Sequence, residues 1–219
     1  MNLNLIKFKL NYPAILLTLS LALLSKFVAF SWVIGSISSF FSAINVTGPL
    51  VVVFAGLPGG LIYLFFNLLF GIKKTILFTQ TGLPSLFAGL YWQADSRLIK
   101  LLLPIFGMSL FWYQTWGTLA AWYAVLWLIP VLIELFGFNN LFSKALGATW
   151  IAHATGSILW LYFGKITSVW VNIIPVALVE RFCLAILMTG AYQLIKFILN
   201  QSQLTKKLLF YAKHLEQVL

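Results

Sequence analysis

The sequence predicts an all-α fold, a polytopic membrane helix bundle of about six transmembrane helices in a single integral membrane domain. From Lys26 to Lys73 the chain runs 46 residues without a charged side chain, and uncharged runs return at 101–133 and 145–164. One crossing takes roughly 20 apolar residues. Hydrophobic residues make up 62% of the chain and charged residues 8%, too few charges for amphipathic soluble helices. The expected surroundings are a lipid bilayer.

The net charge of +10 is explained better by membrane topology than by nucleic acid, because the basic residues stand at the ends of apolar segments. With six crossings one face receives nearly all of them: Lys7, Lys9, Lys73, Lys74, Arg97, Lys100, Lys144, Lys206, Lys207 and Lys213. Lys26 and Lys165 then lie opposite. We therefore expect a multi-pass protein of the cell membrane with both termini cytoplasmic, a polar tail at about 200–219 and no nucleic-acid partner.

The first predicted crossing is Asn11 to Trp32, followed by a polar stretch, Gly35 to Thr47, that we expect to be an inner loop. The next apolar segment, Gly48 to Gly71, contains Gly56-Leu57-Pro58-Gly59-Gly60. Glycine and proline there predict either a kink in one helix or a tight turn between two short ones. The choice decides between six helices and seven or eight.

The second half of the chain alternates broken and clean segments. Thr75 to Trp92 contains Gly82-Leu83-Pro84-Ser85, which suits a re-entrant segment that lines a pocket. The run from Leu101 to Phe136 divides near Gln114 into two helices or one bent helix. Two further crossings are predicted: Ala145 to Phe163, and Ser168 to Leu199, which enters helix near Pro175.

Catalytic chemistry has little material here, since the chain has two His, four acidic residues and one Cys. No HExxH, GxSxG, phosphate-binding loop or carboxylate cluster is present. Cys183, alone, can form neither an internal disulfide nor a multi-cysteine metal site. We therefore expect that the protein is not an enzyme and that it binds neither a cofactor nor a metal ion.

Two polar features lie inside predicted crossings, where ionisable groups usually face an interior cavity. His153 shares a helical face with Trp150 and Ser157 and is a pocket residue, a structural hydrogen-bonding group or a catalytic base. Glu180 and Arg181 follow Pro175 closely. Because adjacent side chains point about 100° apart, we expect them to pair with different neighbours or with a ligand rather than with each other.

Aromatic side chains stand next to amides at two segment ends, in Tyr91-Trp92-Gln93 and in Trp112-Tyr113-Gln114. Such groups either stack on a planar heterocycle and bind its edge, or belong to the aromatic belt of the membrane interface. The predicted ligand-binding residues are accordingly Trp92, Gln93, Trp112, Gln114, Trp150, His153 and Glu180.

The first predicted helix carries a small side chain at every fourth position, Ala14, Thr18 and Ala22, which lets another helix approach closely. This stripe, the Gly48-Pro49 to Gly60 segment, Gly82-Leu83-Pro84 and the helix led by Pro175 together resemble the substrate-binding subunits of energy-coupling-factor vitamin transporters. The resemblance implies six helices and vitamin or micronutrient binding near the outer face. It also implies that Ala14, Thr18 and Ala22 dock onto a transmembrane coupling subunit driven by ATPases.

Three classes of function fit these observations. A substrate-capture subunit explains the small size, the missing catalytic groups and the broken, pocket-forming segments. A non-catalytic structural or assembly subunit of a larger membrane complex explains the same absence of chemistry. A membrane enzyme using His153 and Glu180 is the third.

Overall fold

The structure is a computed structural model that describes residues 12–34, 37–69, 82–163, 170 and 172–218. This part of the chain is helical apart from one β-hairpin. The helices are α1 (Tyr12–Leu24), α2 (Ile44–Leu69), α3 (Leu83–Gln93), α4 (Arg97–Tyr113), α5 (Thr115–Leu119), α6 (Ala121–Val125), α7 (Leu128–Leu135), α8 (Leu141–Phe163) and α9 (Ile174–Val218), and the strands are β1 (Ala29–Ile34) and β2 (Ile37–Ser42).

The first helix is shorter than the sequence predicts. It ends at Leu24, a 3-10 turn covers Ser25–Phe27, and β1 then pairs antiparallel with β2 in the register Ala29 to Ser42 and Ile34 to Ile37. The predicted crossing from Asn11 to Trp32 and the predicted inner loop are therefore both wrong. β1 is rich in aromatic and β-branched residues, which favour strands.

The small-residue stripe of α1 is covered within the chain itself. Ala14 and Ala22 are fully buried and Thr18 is 1% exposed. Thr18 Oγ1 donates to the Ala14 carbonyl 2.6 Å away, which satisfies the hydroxyl inside the apolar contact. α1 packs on α2, where Ala22 belongs to the same buried cluster as Val51. The prediction that these three residues form an intermolecular surface is corrected, because small side chains serve close packing within a subunit equally well.

The tight-turn alternative describes α2. Gly56 has φ 70° and ψ −172°, a conformation that breaks the helix and favours glycine. A Cβ placed on Gly48 would lie 3.0 Å from the Tyr63 hydroxyl, and one placed on Gly60 would lie 2.8 Å from a Val52 methyl carbon. A straight helix would separate Gly48 and Tyr63 by about 22 Å. The arms 44–55 and 57–69 therefore lie side by side, antiparallel.

α2, α3 and α8 form the centre of the fold. Gly89 on α3 meets the first arm of α2 so closely that a Cβ there would lie 2.3 Å from Val52 Cβ and 2.7 Å from the Pro49 carbonyl oxygen. On the other side of α3, a Cβ on Gly147 of α8 would lie 2.6 Å from the Tyr91 ring. Of the predicted re-entrant segment, residues 75–81 lie outside the described residues, and Pro84 stands in the first turn of α3.

The segment from α4 to α7 doubles back after Tyr113, as the division near Gln114 predicts. Trp112 Nε1 donates to the Ala121 carbonyl 3.3 Å away, and Lys100 at the start of α4 pairs with Glu134 at the end of α7. A second buried cluster forms between this segment and α8, built on large aromatic side chains that include Phe111, Tyr123, Trp127, Trp150 and Trp170.

α8 and α9 begin close to where the sequence predicts, but α9 ends later than predicted. α8 covers the predicted crossing, and α9 begins at Ile174 with Pro175 in its first turn, as expected. The backbone of α9 continues as helix to Val218, so the predicted polar tail extends the same helix. Residues 164–169 lie outside the described part.

Among the described residues, two helices are long and apolar enough to cross a membrane: α2 and the 174–201 part of α9. Because α2 folds back at Gly56, each of its arms is only about 18–20 Å long. In α9 only 22% of the most apolar window is buried, and Leu178, Phe182 and Ile186 point outward. An apolar helix with an exposed apolar surface is typical of contact with lipid.

Candidate functional site

A cavity of about 460 Å³ opens where α1 ends and where α2, α3 and α9 begin. α8 forms its long wall with residues from Thr149 to Trp160. The volume falls in the range of small-molecule sites. The lining residues are Lys26, Ser42, Ile44, Asn45, Pro49, Pro84, Ser85, Tyr123, Thr149, Ala152, His153, Gly156, Ser157, Trp160, Trp170, Ile173 and Arg181.

Tyr123 on α6 is the centre of a polar network in this cavity. Its hydroxyl lies 2.7 Å from His153 Nε2 and 2.7 Å from Ser157 Oγ, and its side chain is fully buried. His153 and Ser157 stand four residues apart on α8 and so share one face of that helix. The geometry is satisfied when Tyr123 donates to His153 and Ser157 donates to Tyr123. The predicted alignment of His153 with Ser157 thus has a third member, supplied by a distant helix.

Arg181 brings a buried cation to the cavity. Its side chain pairs with Glu180, at 2.5 Å from guanidinium nitrogen to carboxylate oxygen, which corrects the prediction that these neighbours pair elsewhere. Long, flexible side chains can overcome the 100° between their Cα–Cβ bonds, and both side chains are largely buried, which favours pairing of their charges. Arg181 as a whole is only 7% exposed, and its Nε is buried without a hydrogen-bond partner within the described residues.

Lys26 is the second cation of the cavity lining and sits half-buried in the turn that follows α1. The preceding Ser25 is fixed by Thr47, with 2.6 Å between their hydroxyl oxygens, so the end of α1 is tied to the start of α2. No ion pair involves Lys26 within the described residues. Its ammonium group is available to a ligand.

Trp92 and Gln93, both predicted to bind ligand, lie away from the cavity. Trp92 is 8% exposed and stacks on Tyr192, with 5.5 Å between ring centroids. Gln93 Nε2 donates to the Val53 carbonyl 3.0 Å away. Both residues come at the end of α3, whereas the cavity is at its start, so the helix itself carries them out of reach.

Trp112 and Gln114 also lie elsewhere, at the turn between α4 and α5, where Trp112 is 37% exposed and Gln114 ends α4. Trp150 is buried behind the cavity wall and touches His153 edge to face, at 5.6 Å between centroids. It supports the imidazole without lining the cavity. Of the predicted ligand-binding set, His153 lines the cavity directly and Glu180 reaches it through Arg181.

Sequence reasoning missed Tyr123 and Lys26. Tyr123 stands in the uncharged run of α6, where nothing distinguishes it from a belt aromatic, and only the return of the chain after α4 brings it to His153. Lys26 reads as a topological charge at the end of a crossing. A signal did exist for Ser85, which belongs to the broken segment predicted to line a pocket.

A second cavity, of about 390 Å³, lies at the opposite end of the bundle and is polar. Both of its cations meet acceptors within the protein: Lys100 Nζ lies 3.0 Å from Glu134 Oε1, and Arg97 donates to the Leu135 carbonyl 3.3 Å away. Asp95 also lines this cavity and has no ion pair within the described residues. Across the part of the chain that is described, no group of three His, Cys, Asp or Glu side chains could hold a metal ion.

Comparison with known proteins finds no matching family model, no similar curated protein and no similar solved structure. The resemblance to vitamin-transporter subunits stays a prediction.

Proposed function

We propose that this protein is a membrane-embedded substrate-capture subunit that binds a small molecule, of the vitamin or micronutrient class, in the cavity beside Tyr123 and His153. Transport would be driven by separate ATPase subunits through a transmembrane coupling subunit. The observation that carries the proposal is the collection of polar side chains in one cavity of an otherwise apolar bundle. Buried polar groups are costly unless they meet a partner, and a ligand is the partner that an open cavity admits.

The arrangement favours binding over catalysis. Ser157 lies four residues from His153 on the same helical face, but its hydroxyl hydrogen-bonds to Tyr123, and no hydrogen bond joins it to His153 within the described residues. A catalytic serine needs a base within hydrogen-bond reach, and that base needs an orienting group. Tyr123 hydrogen-bonds to Nε2 of His153, and the other ring nitrogen of His153 can form a hydrogen bond with a bound molecule.

The distribution of charge supports an outward-facing cavity in a multi-pass protein. Arg97, Lys100 and Lys144 stand at the end of the bundle opposite the cavity, and Lys26 stands beside it. Under the positive-inside rule the first three are cytoplasmic, which puts the cavity toward the outside. A capture subunit needs its site on that face.

Native mass spectrometry of protein extracted gently from its own membrane tests the proposal. We expect a small molecule to be retained by the wild type and lost by about ten-fold or more in His153→Ala, as removal of one polar partner predicts. Thr155→Ala is the matched control, because its hydroxyl only donates to the Ile151 carbonyl of its own helix. Thr155→Ala should retain the molecule.

Two outcomes would contradict capture. A wild-type protein that carries only protein partners would identify an assembly subunit. Consumption of a substrate by the wild type but not by His153→Ala would identify an enzyme.

A further inference from the structure

We propose that the captured molecule is a small organic carboxylate with a single negative charge. Lys26 and Arg181 hold its charged group next to the N-termini of three helices. This inference rests on the proposed capture function and names the chemical class of its ligand. Four features of the cavity lead to it: the balance of charge, the unpartnered guanidinium nitrogen, the helix termini and the apolar wall.

The balance of charge in the cavity is one positive unit. Lys26 and Arg181 are the cations that line it, and no carboxylate does so within the described residues. Glu180 sits just behind Arg181 and neutralises it through a terminal nitrogen. Lys26 has no counter-charge among the residues that the structure describes. A cavity with one surplus positive charge in an apolar bundle is complementary to a ligand with a single negative charge.

Arg181 still has a donor to offer after pairing with Glu180. Its Nε is buried without a partner in a side chain that is more than nine-tenths buried. A guanidinium carries five N–H donors and no acceptor, so only an acceptor can satisfy this nitrogen. A carboxylate oxygen is the strongest organic acceptor of this kind.

Three helices begin at the cavity. Ile44 and Asn45 open α2, Pro84 and Ser85 open α3, and Ile173 immediately precedes α9; all five line the cavity. None of the three helices has an acidic side chain in its first turn. The positive dipole ends of these helices therefore favour an anion.

Helix ends of opposite polarity also lie on this side. The second arm of α2 ends there at Leu69, but no residue of 57–69 lines the cavity. α1 also ends at the cavity, but Lys26 in the next turn gives that end a positive charge. α8 presents the sides of its middle turns, and its last residue, Phe163, is not part of the lining.

The remaining wall suits the uncharged part of such a molecule. Ala152, Gly156 and Trp160 of α8 continue the lining, and Trp170 closes it on the side of α9. Aromatic and small side chains next to a charged corner are typical of a site for an organic acid with an apolar body. A free inorganic anion would leave this wall without contact.

The first test identifies the molecule that co-purifies with the full-length protein. After release in organic solvent, its exact mass and ionisation give its charge class. We expect an acid with one negative charge at neutral pH. We also expect its occupancy to fall about ten-fold or more in Lys26→Gln, because a hydrogen bond to a charged group is lost. Lys144→Gln is the matched control, since that lysine is similarly half-buried but lies on the first turn of α8, outside the cavity.

A second measurement uses defined probes. Sodium benzoate and benzamide have nearly the same shape and differ in charge, so benzoate should raise the melting temperature of the wild type and of Lys144→Gln, and benzamide should not. In Lys26→Gln the benzoate shift should disappear.

The outcomes separate this inference from the function on which it rests. A retained molecule that is neutral or cationic, or unchanged occupancy in Lys26→Gln, overturns the anion assignment while capture stands. Benzamide acting as strongly as benzoate, or no shift with benzoate, has the same consequence. A wild type that retains no molecule at all overturns capture, and the anion assignment falls with it.

Discussion

Each end of the bundle carries basic side chains, but the two ends differ in whether these side chains have partners within the described residues. At the end with Arg97 and Lys100, every cation just named meets a protein acceptor, Glu134 or the Leu135 carbonyl. At the cavity end, Lys26 has no ion pair within the described residues and Arg181 Nε has no partner. Matched charges stabilise a fold by themselves, whereas unmatched buried donors persist where something else completes them.

Structural charges in this protein therefore differ from the charges proposed to bind a ligand in whether a protein group already pairs with them. A polar residue in an apolar bundle is suggestive by itself, and the sequence identifies several of these. What distinguishes Lys26 and Arg181 Nε from Lys100 and Gln93 is that, within the described residues, the protein supplies no ion pair to the first and no hydrogen-bond partner to the second. Substitutions at the two ends, and at the contact that joins them, should therefore have different consequences.

The largest expected effect is at Gly89, where α3 crosses α2 between the two ends. In Gly89→Ala the new Cβ would lie 2.3 Å from Val52 Cβ and 2.7 Å from the Pro49 carbonyl oxygen, so the two helices must separate. Overpacking of this kind costs about 3 kcal/mol. We expect lower thermal stability together with loss of the retained molecule, because Pro49 and Ser85 on these helices line the cavity.

Gly190→Ala is the control for that substitution. A Cβ on Gly190 meets nothing within 4 Å, and alanine is the better helix former by about 1 kcal/mol. Thermal unfolding in detergent, followed by circular dichroism, should show Gly190→Ala at or above the wild type. If Gly89→Ala were as stable as the wild type, α2 and α3 would not pack as closely at Gly89 as the structure shows.

Next in size is Glu134→Gln at the end opposite the cavity. Lys100 and Glu134 are 11% and 17% exposed, so removal of the carboxylate leaves a largely buried ammonium without its partner. The expected loss of stability is about 2 kcal/mol. The retained molecule should stay bound, as judged by native mass spectrometry. Loss of ligand at unchanged stability would reverse the assignment of the two ends.

The smallest effect on stability is expected for Tyr123→Phe at the cavity end. The ring and its aromatic neighbours stay, and one hydroxyl with two hydrogen bonds is removed, so the cost is about 1 kcal/mol. Occupancy by the small molecule should nevertheless fall, because His153 loses the group that orients it. Tyr162→Phe is the matched control, since that hydroxyl donates to the Leu110 carbonyl at an exposed position. If both variants retain the molecule equally, the polar network is structural.

The sequence predicted the helical class and several helix limits for local reasons. Uncharged apolar runs fit helices, Pro175 fits a first helical turn, and the division near Gln114 appears as the end of α4 at Tyr113. It failed at the β-hairpin, because residues 29–42 carry no charge, like the helix before them, and strand pairing is not visible in composition. It left Gly56 undecided, since a kink and a tight turn use the same residues.

His153 was identified because an ionisable group within an apolar run is recognisable from the sequence alone. The position of Lys26, apart from the basic residues of the other end, can be read from the sequence in the same way. Tyr123, the burial of the Ala14 stripe and the pairing of Lys100 with Glu134 depend on which helices meet. Composition and spacing determined that this chain has helices with a few costly polar groups. Tertiary structure alone decided which of those groups the protein satisfies itself, because a hydrogen-bond partner thirty residues away is close only after the chain has folded back.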